Sequence, residues 1–211
     1  MRRSFAAGCL VMSATMLVAC AGSSTDQGAS TGVSTMASPV TSARPTASVQ
    51  VAVPPPPLQT GAKPVRFDPC VSVGDDLVTR TGFDPATRER YTAESVSSVL
   101  TEIGCQFWRE TLVDGEKYPT GLVSVTSSDL TLDDIRKNPG HSIFNSDPIG
   151  GRDTVLYRTP QSDNACSAAI KSSDGTFRVG LLVHPGPVAV PSACDQIRQV
   201  AETFSESLGT N

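Results

Sequence analysis

Between Gly104 and Arg109 the chain reads GCQFWR, and between Gly121 and Ser127 it reads GLVSVTS. Aromatic character and alternation of apolar and polar positions give both the period of a strand. That alternation sets Cys105 and Phe107 on one face and Gln106 and Trp108 on the other. Asp114-Gly115, between the two segments, predicts a hairpin-like turn. DTVLYRT (153–159), CSAAIKS (166–172) and TFRVGLLVH (176–184) repeat the strand character, separated by turn residues, notably Asp174-Gly175.

Helical spacing is clearest at the C-terminal end. Ile197, Val200, Ala201, Phe204 and Leu208 recur on one face behind Ser192-Ala193-Cys194-Asp195, a variant of the capping box. Cys194 shares that face and therefore points at the sheet. Near the other end, Asp68 suits a helix N-cap and Pro69 the first helical position. The spacing predicts one helix there, carrying Leu77 and Val78 inward and stopping at Gly82. Asp84-Pro85 starts another turn or short helix. Thr131 caps a further short helix with Asp134 in its first turn, ended by Asn138-Pro139-Gly140 and followed by a loop through His141 to Gly151. The order of elements argues an α+β fold, an antiparallel sheet of about five strands covered by N- and C-terminal helices.

The first residues change the setting of this domain. Arg2 and Arg3 precede an uncharged run from Phe5 to Val18, then small residues, which is the pattern of a secretory signal over residues 1–19. The run is shorter than the roughly 20 apolar residues of a spanning helix. Leu17-Val18-Ala19-Cys20 followed by Ala-Gly-Ser-Ser looks like a bacterial lipobox, on which reading Cys20 becomes the acylated first residue of the mature protein. The alternative is an ordinary secretory signal with a cysteine in its cleavage zone. Residues 20–64 are rich in Ser, Thr, Ala, Gly and Pro, including Pro54-Pro55-Pro56-Pro57. Such a composition reads as a disordered tether, spanning on the order of 35 to 40 Å and open to O-glycosylation. Residues 65–211 form one globular domain.

Removing residues 1–19 takes Arg2 and Arg3 from 17 basic side chains and nothing from 21 acidic ones, leaving a formal charge of −6. An acidic protein is a poor candidate for binding nucleic acid or an anionic lipid surface, so membrane attachment falls to the lipid at Cys20. Beyond Cys9 in the signal and Cys20, four cysteines remain: Cys70, Cys105, Cys166 and Cys194. An even count in an exported domain reads as two disulfides, whereas a four-thiolate metal site would show a C-x-x-C knuckle and none is present. Spacing does not choose among the three pairings. The pairing expected here is Cys70 with Cys105 and Cys166 with Cys194, each tying a terminal helix to a strand.

These features together, from the lipobox and tether through DPC, GCQFW, IGGRDTVLYR, ACSAAI and the terminal ACDQI, resemble the actinobacterial cell-envelope lipoproteins typified by mycobacterial LprB and LprC. The resemblance covers nearly all of residues 65–211. It implies a lipidated extracytoplasmic domain of unknown function with no catalytic residues to carry over. More distantly, the order of elements is similar to PsbP-like domains, a fold used mainly for accessory and binding roles.

Catalytic chemistry leaves little trace. His141 and His184 are the two histidines, and no G-x-S-x-G, H-E-x-x-H, P-loop or Rossmann glycine pattern occurs. Ser142, His141 and Asp147 are neighbours in one loop, an arrangement that rarely converges as a triad does. Asp75-Asp76 and Asp133-Asp134 point about 100° apart on a helix and read as helix-start or solvated charge, with a calcium site as the alternative. Trp108 is either core beneath a helix or an aromatic platform for a ligand. The loop 138–152, with His141 and Phe144, is the best candidate for an interaction surface. The reading is therefore a non-enzymatic monomer without metal or cofactor, on the outer face of the cell membrane. It would bind an envelope protein or cell-wall component. The rival readings are a carrier or sensor of a small apolar ligand held between sheet and helix, and an envelope enzyme using His141 or His184.

Overall fold

Alternation carries further than the two quoted segments. In the computed structural model, which describes residues 47–59, 63–91, 102–160 and 162–209, they lengthen into β2 (Glu102–Val113) and β3 (Glu116–Ser128). They meet at Asp114 (φ 52°) and Gly115 (φ 86°), the two successive left-handed residues that the tightest hairpin turns require. The three later segments become β5 (Thr154–Arg158), β6 (Ala165–Lys171) and β7 (Thr176–Val183).

The sheet has seven strands rather than about five, in the order β1-β2-β3-β7-β6-β5-β4, with every pair antiparallel. The additions are its two short edges, β1 (Glu89–Tyr91) and β4 (Ser142–Asn145). β1 hides from pattern reading because its inward residue is Arg90, 8% exposed and paired with Asp68 at 2.6 Å. β4 lies in the loop read as irregular, is four residues long and carries a register shift. The chain leaves β3, crosses to β4 at the far edge, and returns strand by strand until β7 closes on β3.

The predicted N-terminal helix is broken in two, α1 (Pro69–Ser72) and α2 (Asp75–Arg80), because Val73 and Gly74 are extended (ψ 112° and 155°). With α4 (Ala193–Ser205) these helices cover one face of the sheet. Leu77, Val78, Ile197, Val200, Ala201 and Phe204 pack there on Cys105, Phe107, Val125, Phe177, Val179 and Leu181 in one buried cluster. On the opposite face α3 (Leu132–Lys137) sets Leu132 and Ile135 on Val155, Tyr157 and Ala169. Its capping box is as predicted, and the Thr131 hydroxyl and backbone N–H hold the Asp134 carboxyl below its usual range.

Disulfides join Cys70 to Cys105 and Cys166 to Cys194, with Cα atoms 5.0 and 5.1 Å apart, tying α1 to β2 and α4 to β6. Residues 1–19, Cys20, the tether through residue 46, and residues 60–62 lie outside the described residues. Residues 47–59, within the segment read as a tether, run along the domain as a strap. The Ser48 carbonyl accepts from Asp75 N–H (2.9 Å), Gln50 N–H donates to the Asp75 carboxylate (2.9 Å), and Arg90 donates to the Pro54 carbonyl (2.9 Å). Val53 packs against the main core.

Candidate functional site

Register places side chains in rows across the face opposite α1, α2 and α4. One row is Trp108, Leu122, Leu182 and Ala165; the next is Glu89, Gln106, Ser124, Gly180, Ser167 and Tyr157. A third runs Tyr91, Gly104, Thr126, Arg178 and Ala169. α3 lies over the Tyr157 and Ala169 end of these rows.

Trp108 is half-buried on the sheet face opposite α4. Its backbone is fixed from the side. Trp108 N–H donates to the Thr87 hydroxyl (2.8 Å) and its carbonyl accepts from Asp84 N–H (2.9 Å). The register shift between Arg109 and Glu110 follows at once, a device that sets the aim of a neighbouring side chain. The indole ring stacks on His184, with centroids 5.7 Å apart and planes inclined by 23°. His184 extends the β3–β7 ladder through N–H donation to the Thr120 carbonyl (3.2 Å), and its Nε2 is buried without a partner.

The apolar row at Trp108 gives way to small polar side chains and then to charge. Gln106 donates to Glu89 (2.8 Å), and Glu102 accepts from both the Thr126 hydroxyl (2.7 Å) and Arg178 (2.8 Å). Burial, reinforced by Glu102, raises the Tyr91 hydroxyl above its ordinary pKa. The face thus offers an aromatic and aliphatic ridge beside hydrogen-bonding groups, which suits recognition.

The structure divides the other residues singled out by sequence. His141 donates from Nδ1 to the Ile135 carbonyl (2.9 Å), and its ring lies 4.3 Å from that of Tyr157, beside α3. Phe144 is 43% exposed and lies under the Arg158 guanidinium at 5.5 Å. Tyr157 and Arg158 are successive strand residues, so His141 and Phe144 belong to opposite faces. Asp147 bonds with Asn145 and approaches Arg198, so Ser142, His141 and Asp147 do not converge. Asp75 is taken by Arg88 and Gln50, and Asp133 by Arg136. Among the described residues no group of three His, Cys, Asp or Glu side chains is placed to hold a metal.

Between the sheet and α4, Phe107, Phe177, Ile197 and Phe204 pack into one buried cluster, and several cavities among the described residues open on the surface. That packing lends no support to a small ligand held between sheet and helix. His184 is the residue that sequence reasoning left at a strand end. Alternation through TFRVGLLVH already put it on the face of Gly180 and Leu182, but its stacking partner on β2 depends on sheet order.

A model of the family described as proteins of unknown function, DUF3558, matches residues 15–206, and the chain belongs to that family. Nothing among curated proteins or solved structures matches it, so the likeness to PsbP-like domains gains no support.

Proposed function

We propose that this member of the DUF3558 family is an extracytoplasmic lipoprotein, held to the membrane by lipid on Cys20, that works by binding an envelope partner rather than by catalysis. The observation that carries the binding reading is the Trp108–His184 stack on the sheet face opposite α4, continuous with Leu122 and Leu182. Ordinary solubility does not call for an indole and two leucines in one row of such a face, whereas a partner's apolar surface does. The anchor reading rests on the sequence around Cys20.

The two parts are separable by experiment. In the native host, a photo-crosslinking side chain at position 122 is expected to capture a discrete envelope component, and Trp108→Ala is expected to abolish capture. Capture that survives Trp108→Ala, or none at position 122 with equal capture from an α4 position, would place binding elsewhere. Cys20→Ala is expected to remove fatty-acid labelling and release the protein from the membrane fraction; retention would exclude this anchor.

A further inference from the structure

The two disulfides sit in opposite surroundings. Cys70 and Cys105 are fully buried, whereas Cys194 is partly exposed at the start of α4 and its partner Cys166 is 1% exposed. Arg158 reaches across from β5 and places its Nε 3.1 Å from Cys194 Sγ. Phe144 lies against that guanidinium, and Asp195, the nearest carboxylate along the helix, is occupied by the Ser192 hydroxyl at 2.7 Å. A surface cavity of about 360 Å³ is lined by Ala193, the residue before Cys194, with Asn164, Val188 and Val190; neither cysteine lines it.

We propose that Cys166–Cys194 is a thiol-exchange site, reduced and re-formed by a dithiol protein of the extracytoplasmic space, while Cys70–Cys105 stays a permanent staple. A thiolate at Cys194 would meet a guanidinium and the positive end of a 13-residue helix, two independent effects that favour it. Stabilising the reduced form makes a disulfide more oxidising. Access selects the route. The partner's thiolate attacks Cys194 Sγ, forms a mixed disulfide there and displaces the Cys166 sulfur, which takes up one of the partner's protons. The partner's second thiol loses its proton to solvent, attacks the partner's own sulfur in the mixed disulfide and expels Cys194 as thiolate. Two electrons have passed: the partner ends as a disulfide, and the protein as one thiol and one thiolate. α4 stays in place through Ile197, Val200, Ala201 and Phe204, so the exchange leaves the core packed.

The inference goes beyond the binding reading and does not depend on the lipid, so the Cys20→Ala chain is expected to behave identically. The test poises full-length protein in detergent micelles against ratios of reduced to oxidised dithiothreitol, alkylates free thiols and identifies them by mass. Cys166 and Cys194 are expected to open at ratios at least tenfold less reducing than Cys70 and Cys105, with circular dichroism unchanged. Arg158→Gln is expected to move that midpoint three- to tenfold toward the disulfide, about 15–30 mV, leaving the other bridge where it was. Arg158→Lys, which keeps the charge, is expected to recover most of the shift. Joint reduction of both bridges, reduction of Cys70–Cys105 first, or a midpoint indifferent to Arg158→Gln would overturn the proposal.

Discussion

Arg88 shows at the scale of one residue what the sequence disguises. Its guanidinium is wholly buried, donates to the carbonyls of Cys70 and Val73 (3.0 Å each), pairs with Asp75 at 2.6 Å and lies over the Phe107 ring. A charged residue is read from sequence as surface, and only the fold brings Asp75 and two free helix-end carbonyls around this one. Truncating it strands a mostly buried carboxylate and two carbonyls together. Arg88→Ala is therefore expected to cost about 3–5 kcal/mol. The control is Arg80, whose pair with Glu206 leaves both side chains about half exposed (50% and 54%). Arg80→Ala is expected to cost under about 1 kcal/mol. Urea unfolding of both variants with the disulfides intact gives the comparison; equal losses would mean that Arg88 is not the tie described.

Turns show most plainly, at the scale of elements, how far pattern reading reaches. Asp114-Gly115 and Asp174-Gly175 were both legible as turns, yet their glycines serve different ends. At Gly115 (φ 86°) a β-carbon would meet nothing within 4 Å, so the requirement is conformational alone. At Gly175 (φ 138°) a β-carbon would lie 2.7 Å from the carbonyl oxygens of Ser128 and Leu130, where the chain leaves β3 for α3. Gly115→Ala is expected to cost about 1–2 kcal/mol, and Gly175→Ala about 3 kcal/mol or more, since backbone crowding adds to the strain. Thermal unfolding midpoints measure the order. The same distinction explains which strands were legible. β2, β3, β5, β6 and β7 bury apolar side chains and so carry alternation. β1 buries arginine, and β4 buries too little to leave a pattern. The helix over 69–80 breaks at Gly74 because the chain must also turn Asp75 toward Arg88 and the strap, a demand made from 13 residues away.

The strap matters most for the whole molecule, because composition gives no sign of it, and for a definable reason. Composition counts what side chains can bury, and a Ser/Pro-rich segment buries little; the domain instead holds this segment by its backbone. Ser48 and Pro54 contribute carbonyls, Gln50 an N–H, and Val53 alone adds an apolar contact to the core. Arg90, which grips the Pro54 carbonyl, also pairs with Asp68 at the head of α1, and Asp75 serves both the strap and Arg88. Residues 47–59 thus close the same charged cluster that fastens α1, α2 and β1 around the Cys70–Cys105 bridge. Removing them leaves that cluster paired but opens it to water and uncovers Val53's place. A chain beginning at residue 47 is expected to unfold at the same urea concentration as one beginning at residue 20. A chain beginning at residue 65 is expected to lose about 2–4 kcal/mol, from one partly buried valine and a few hydrogen bonds to charged groups. Matching stability for the chains beginning at 47 and 65 would mean that these residues do not brace the domain.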